Sequence, residues 1–268
     1  MKFLVQNQPC YAYTGGKPFH ASKPALVFIH GAANDHSVWH LQARYFAHHG
    51  WNVLAVDLPG HGFSDGKPRA TIREYSQWVI AFLDNANIRT AALVGHSMGS
   101  LIALETAIGS PERVSQLVLL GASAPMPVSD ALLTAARDDT ATAIDMLCAW
   151  GHGPRARMGS SAVPGVSLTG TYRRLLAKAG AGVLHNDLAA CAAYAAPALA
   201  DMKVRTLILI GEKDQMTPPR AGASLVAALP NARSVMAPGA GHGMMYEAPD
   251  ETLAAMKTFL SDPLGAAD

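Results

Sequence analysis

Short apolar runs alternate with helical patterns along most of this chain, and that alternation restricts its fold more than any single motif does. Ala25–His30, Asn52–Asp57, Thr90–His96, Gln116–Gly121 and Thr206–Gly211 each read as a strand, with Ser234–Ala237 a weaker one. Apolar spacing predicts helices over Val38–His49, Thr71–Asn85, Met98–Gly109, near Arg220–Leu229 and over Glu251–Leu260. On the second of these, Tyr75, Trp78, Val79 and Leu83 share one side. Such a β-α succession implies a mostly parallel sheet covered by helices on both faces.

The alternation lapses between about Ala124 and Val204. Alanine-rich helical stretches (Asp130–Trp150, Tyr172–Ala179, Asn186–Ala195) surround a Gly/Pro/Ser loop over Gly151–Gly170, with no convincing strand. The reading is one core made of residues 1–123 and 205–268, with a helical cap, 124–204, inserted between core strands. No internal repeat or linker divides the chain further.

Composition narrows the partners. Half of the 268 residues are apolar, only 15% are charged and the formal net charge is +1, as expected of a globular protein. The only basic clusters are Arg155–Arg157 and Arg173–Arg174, too few positive groups for nucleic acid as the main partner. The longest apolar tract, Leu188–Ala200, is mostly alanine, is broken by Pro197 and cannot span a bilayer. The apolar run of Met1–Gln6 is too short for a signal-peptide core. Cys10, Cys148 and Cys191 are scattered and odd in number, which suits reduced, buried thiols and the cytoplasm.

The chemistry centres on ALVGHSMGSLIAL, Ala92 to Leu104. A strand pattern ends at Gly-His-Ser-Met-Gly, and helical spacing begins with Met98, Leu101, Ile102 and Leu104. Gly-x-Ser-x-Gly at a strand-to-helix turn is a nucleophile elbow, with the serine held in a strained backbone above the sheet. Side chains two residues before and after Ser97 would collide as the chain doubles back, so glycines are expected there. The Met98 N–H then points toward any negative oxygen forming beside Ser97, assisted by the helix dipole.

A serine hydroxyl needs a base, and the base needs an orienting carboxylate. Of eleven histidines, His242 in PGAGHGMMYEAP follows the last strand and can reach back over the strand ends. His96 points away from Ser97 along its strand, while His30 and His61 lie in glycine turns with structural roles. The loop after Gln116–Gly121 carries no acid, whereas the loop after Thr206–Gly211 offers Glu212 and Asp214. Asp214, at the far end of that turn, is the choice, with Glu212 a solvated neighbour. A second oxyanion donor is expected in the loop after His30-Gly31, from the N–H of Ala32. Trp39 reads as core packing, and Asp57 as a residue that ties down its loop.

HGAANDHSVW, DLPGHGFSD, GHSMG, GEKD and GAGH stand in the order seen in the α/β-hydrolase fold serine hydrolases, which this chain resembles from Leu26 to its C-terminus. It looks closest to the small esterases, lactonases, haloperoxidase-like perhydrolases and carbon–carbon bond hydrolases. The resemblance implies a triad of Ser97, Asp214 and His242 on a mostly parallel sheet. Ser100 departs from the pattern, standing where many relatives carry a second glycine. Aspartate-based dehalogenases and epoxide hydrolases are excluded by Ser97. No cofactor is expected, and no His/Cys/Asp group has metal-ligand spacing.

The expected activity is hydrolysis of a small, largely apolar carboxylic ester or lactone, without nucleic-acid partner or membrane span. Two alternatives are hydrolysis of carbon–carbon bonds in ring-cleavage products, and a non-catalytic small-molecule receptor. The former needs Arg155, Arg157, Arg173 or Arg174 to face the site, because its substrates carry a carboxylate. Met146, Trp150, Met158 and Tyr172 are the candidate walls from the cap. The natural acyl and alcohol groups and the oligomeric state are not legible in the sequence.

Overall fold

The computed structural model of the protein describes residues 1–20, 22–159, 165–195 and 198–261. Eight strands form one sheet: β1 (Lys2–Val5), β2 (Gln8–Tyr13), β3 (Ala25–Ile29), β4 (Asn52–Val56), β5 (Ala91–His96), β6 (Val114–Leu120), β7 (Thr206–Gly211) and β8 (Ala232–Ala237). Their spatial order is β1-β2-β4-β3-β5-β6-β7-β8. All neighbours from β4 to β8 are parallel, and β1 and β2 form an antiparallel edge. The fold is that of the α/β hydrolases.

The predicted core strands are present within a few residues, and the N-terminal hairpin β1–β2 is an addition that the apolar pattern did not signal. Strands buried on both faces read as continuous apolar runs, whereas β1 and β2 are half-exposed and mixed. The predicted Val38–His49 helix divides into a 3-10 turn, His36–Trp39, and an α-helix, His40–His48.

Alternate residues of the central strands feed two different cores. Val27 and Ile29 of β3 pack with the helices Ile72–Asn85 and Met98–Gly109 on one face. Leu26 and Phe28 pack on the other with Trp39, Phe46 and the helix Pro249–Leu260. Each such fully buried side chain contributes about 1.5–3 kcal/mol. Ile72–Asn85 starts where it does because Thr71 and Glu74 form a reciprocal capping box.

Between β6 and β7 the chain is helical: Asp130–Asp138, Thr140–Trp150, Pro154–Arg157, Leu168–Leu176 and Val183–Ala192. The single helix expected over Asp130–Trp150 is two, because Asp139 turns its side chain onto the Thr142 N–H and caps a new helix. Leu132, Ile144, Leu147, Leu176 and Leu184 form a small core of this segment, joined to the rest of the molecule through Ala33. Among the described residues, no helix is long and apolar enough to cross a membrane.

The chain runs from β3 outward to β4, then crosses back to β5 on the opposite side of β3. The loops leaving β3 and β5 therefore part company at a topological switch point, where parallel sheets open a crevice at their carboxyl ends. Ala32 and Ser97 lie on those two loops.

Candidate active site

Strand β5 ends at His96 and a helix begins at Met98, which leaves Ser97 alone in the turn at φ 54° and ψ −120°. A non-glycine residue in such a conformation costs about 1–3 kcal/mol and persists only when its surroundings impose it. Here the Ser97 N–H donates to the Leu120 carbonyl at 2.9 Å. The Ser97 carbonyl accepts the Ser100 N–H at 2.8 Å and the Ser100 Oγ–H at 2.5 Å. The departure at Ser100 thus adds a bond to the strained residue.

The flanking glycines are required by two different neighbours. A Cβ on Gly95 would lie 2.1 Å from the Gly99 carbonyl oxygen, the collision expected from the turn itself. A Cβ on Gly99 would instead meet the carbonyl oxygens of Ile29 and His30 at 2.3 and 2.5 Å, where the helix start crosses the end of β3. The second glycine lets the elbow approach the neighbouring loop.

His242 and Asp214 meet in a buried pair. His242 Nδ1 is 2.8 Å from Asp214 Oδ2, and both side chains are buried. Asp214 is held at both oxygens: Oδ1 accepts the Met216 and Thr217 N–H groups at 2.8 and 2.9 Å, and Oδ2 accepts the Thr217 hydroxyl at 2.7 Å. Burial alone would raise its pKa, but the attraction and hydrogen bond of His242 and the Thr217 donors outweigh it and hold the carboxyl below its ordinary value. Glu212 turns outward, to the Gly239 N–H at 2.7 Å and the Lys213 ammonium at 2.9 Å.

The His242 loop is fastened from three directions. Its N–H donates to the Gly151 carbonyl at 3.0 Å. Its carbonyl is 2.9 Å from Nε2 of His96, whose buried ring has its pKa pushed down to about 3 and is therefore a neutral donor. The Glu247 carboxylate accepts the N–H groups of Gly241, Gly243 and Gly153, so one acid ties this loop to the helical segment. Gly121, at φ 56°, completes the seat. A Cβ there would stand 2.8 and 2.9 Å from the His242 ring atoms Cε1 and Nδ1. Neither Glu247 nor Gly121 stood out in the sequence; the only signal for Gly121 was its place at a strand end.

Among the described residues Nε2 of His242 has no hydrogen-bond partner, and His242 and Ser97 line the same cavity of about 340 Å³. Ala32 lies on the wall of that cavity, and Met98, as the first residue of its helix, has an N–H without an intrahelical acceptor. The remaining wall is largely apolar, with Met126, Val128, Leu132, Trp150, Leu188 and Met216. Of the expected walls only Trp150 is there. Met158 is 76% exposed, Met146 packs within the helical segment, and Tyr172 lines a separate cavity with Leu41 and Tyr246. No arginine or lysine is among the described residues lining the Ser97 cavity.

The other singled-out residues hold loops. His30 accepts the Leu58 N–H at Nε2 (3.1 Å), and Trp39 is fully buried in the core. Asp57 accepts the N–H groups of His36 and Phe63 and sits 2.9 Å from His36 Nδ1. Together Asp35, His36 and Asp57 bring three ligand-type atoms within 4.8 Å of one another, a grouping that sequence spacing conceals. Both Asp57 oxygens accept protein donors.

Residues 26–255 match the profile of the alpha/beta hydrolase family, and the chain belongs to that family. A stretch of 96 residues, 35% of this chain and 36% of the relative, is 34% identical to the (E)-2-((N-methylformamido)methylene)succinate hydrolase of Acinetobacter baylyi. Another of 104 residues, 39% of this chain and 36% of the relative, is 35% identical to a putative esterase/lipase of Haemophilus influenzae. The chain thus spans about a third of the length of these curated relatives. Among solved structures, the enol-lactonase from Burkholderia xenovorans LB400 superimposes with a TM-score of 0.85 at 21% identity, covering 98% of this chain and 100% of that one. A thermophilic esterase does so at 0.82 and 24%, covering 98% and 97%. At these identities the likeness is one of fold.

Proposed function

We propose that the protein is a serine hydrolase of small, uncharged, largely apolar carboxylic esters or lactones. The observation that carries this reading is His242: one ring nitrogen is bound to a buried carboxylate, the other has no partner among the described residues, and the residue lines the same cavity as the strained Ser97. In this reading Ser97 Oγ attacks the carbonyl carbon while His242 Nε2 takes its proton. Asp214 keeps Nδ1–H in place and stabilises the imidazolium that results. The Ala32 and Met98 N–H groups hold the tetrahedral oxyanion. His242 then returns the proton to the departing alcohol, leaving an acyl group on Ser97. Water, activated by the same histidine, releases the acid.

Segment 124–204 acts as a cap over a core of residues 1–123 and 205–268, closing the cavity with Leu132, Trp150 and Leu188. Absence of a cation from the described wall favours neutral substrates over ring-cleavage products, whose carboxylate needs a partner. The free, buried thiols Cys10, Cys148 and Cys191 suit a reducing compartment, the cytoplasm.

The test is a panel of p-nitrophenyl esters run beside a ring-cleavage diketone, with fluorophosphonate labelling in parallel. Short acyl chains are expected to outpace long ones, with a pre-steady-state burst wherever deacylation is slower. Ser97→Ala abolishes burst, turnover and label together. A diketone cleaved orders of magnitude faster than every ester replaces this reading with the carbon–carbon one. An unlabelled, inactive protein points to a receptor.

A further inference from the structure

Asp187 is an acid on an otherwise alanine- and leucine-rich helix, and it is completely buried. Oδ2 accepts the Ala33 N–H at 2.9 Å and lies 2.8 Å from His61 Nε2, while Oδ1 accepts the Tyr75 hydroxyl at 2.8 Å. The amide of Asn186 approaches Oδ1 at 3.4 Å. Ala33, His61 and Tyr75 come from three different parts of the core: the loops after β3 and β4, and the Ile72–Asn85 helix.

The His61 ring has an acceptor at each nitrogen, Asp187 Oδ2 at 2.8 Å and the Pro59 carbonyl at 3.0 Å. A neutral imidazole has one N–H and satisfies only one of them, so the geometry selects the imidazolium. A charged pair out of water persists when its remaining valences are filled, as they are here. Burial opposes both charges, but their mutual attraction and hydrogen bonds raise the pKa of His61 and lower that of Asp187.

What the carboxylate holds is a turn. The Asn34 N–H closes on the Gly31 carbonyl at 3.2 Å, with Ala32 and Ala33 between them. Ala33 has φ 53°, a value that turns normally assign to glycine at this position. The Ala33 N–H, aimed at Asp187, fixes the peptide plane between Ala32 and Ala33 in the orientation that forces this φ. Without the carboxylate, that plane is free to turn over into a form an alanine prefers.

We propose that Asp187 is a positioning residue for the Ser97 site: by binding the Ala33 N–H it fixes the turn that presents the Ala32 N–H to the oxyanion. The role rests on the serine-hydrolase reading. His61 and Tyr75 in turn hold the carboxylate, and the helix that carries Asp187 also supplies the cavity walls Leu188 and Cys191. One helix of the inserted segment thereby sets both a wall and the oxyanion side of the site.

The experiment compares wild type, Asp187→Ala and Tyr75→Phe for kcat and KM on p-nitrophenyl butyrate, and for inhibition by a trifluoromethyl ketone. That ketone adds to Ser97 as a tetrahedral mimic and reads the oxyanion side directly. Removing a whole oxyanion donor costs about 10²–10³-fold, so disordering one through its turn is expected to cost about 30- to 100-fold in kcat. Ketone affinity falls by a comparable factor and KM stays within about twofold. Tyr75→Phe, which keeps the Ala33 bond, lowers Tm but holds kcat within about threefold. If Asp187→Ala fails to fold, Asp187→Ser, whose hydroxyl is too short to reach the Ala33 N–H, serves instead, with the same linked loss in kcat and ketone affinity. A variant with kcat near wild type, or one whose kcat falls while ketone affinity does not, overturns the positioning role. Wild type inert to both ester and fluorophosphonate overturns the underlying hydrolase reading instead.

Discussion

His242–Asp214 and His61–Asp187 are the same chemical pair in two parts of the molecule, each at 2.8 Å and each buried. They differ at the far nitrogen. Nε2 of His242 has no partner among the described residues, and His242 lines a cavity with Ser97, whereas Nδ1 of His61 is closed off by the Pro59 carbonyl. Pairing with a carboxylate therefore does not make a histidine a base. A histidine can move a proton when its second nitrogen faces a reacting group, and it serves as a fixed charge when both nitrogens are bound. Substitutions that affect one pair and spare the other test this division.

The largest effect is expected at Asp214. Asp214→Asn leaves the fold intact by circular dichroism but lowers kcat by about 10⁴-fold, as the equivalent loss does in the serine-protease template. Glu212→Gln, whose side chain turns to Gly239 and Lys213, changes kcat by less than about twofold. A loss of only tenfold at Asp214 would mean that another group orients His242, and the comparison between the two pairs would collapse.

Next in size is Gly121→Ala. The new methyl group meets the His242 ring below 3 Å and sits on a residue at φ 56°, so the ring must move. A displacement of about 1 Å in a catalytic group costs about 10²-fold, and kcat should fall on that scale. Because Gly121 touches neither His61 nor Asp187, the trifluoromethyl ketone test separates the two sides of the site. A crystal structure of the variant with His242 unmoved and full activity would refute the seat.

How much of this was legible depended on how local each signal is. Five core strands were visible because burial on both faces makes each a continuous apolar run, and the elbow was visible because its whole constellation is consecutive. Asp214 and His242 lie 28 residues apart, yet each follows a strand, so chain order sufficed to nominate them. The walls were not legible: Met158 and Tyr172 have the apolar character of a lining, and only the packing of the helical segment sends them elsewhere. Asp187 is inconspicuous in the sequence for a related reason. A lone acid on an alanine-rich helix looks solvated until the fold brings Ala33, His61 and Tyr75 to it from distances of 112 residues or more along the chain.

A third pair, His36–Asp57, gives the smaller contrast. Asp57 is fully buried and accepts from the backbone of His36 and Phe63 as well as from the imidazole, but neither residue reaches the Ser97 cavity. Asp57→Asn removes an acceptor from buried donors and is expected to cost about 1–3 kcal/mol of stability. Its kcat at 25 °C stays within about threefold of wild type. Chemical denaturation beside steady-state kinetics checks both halves, and a hundredfold loss of kcat without destabilisation would assign Asp57 a place in the chemistry.

The smallest expected effect is in the pH dependence of stability, where buried histidines act with opposite signs. His96 and His30 have folded pKa values pushed down to about 3 and about 4, chiefly by burial. As pH falls below the ordinary histidine value of about 6.5, the unfolded chain takes up protons that these rings refuse, and stability falls by about 1.4 kcal/mol per pH unit for each. For His61 the order is reversed. Burial opposes its charge, but Asp187 and the Pro59 carbonyl raise the folded value, so its contribution is complete below about 6.5 and is lost as pH rises through that raised value. Asp187 has a lowered value, so its own contribution is present above the ordinary carboxylate range and is lost only in acid. The dome of Tm against pH should therefore have an acid limb set in part by His96 and an alkaline limb set in part by His61. His96→Gln flattens the first and His61→Gln flattens the second, whatever each does to the absolute Tm. An alkaline limb unchanged in His61→Gln would mean that the ring is neutral in the folded protein, and that its contact with Asp187 is a hydrogen bond without a charge pair.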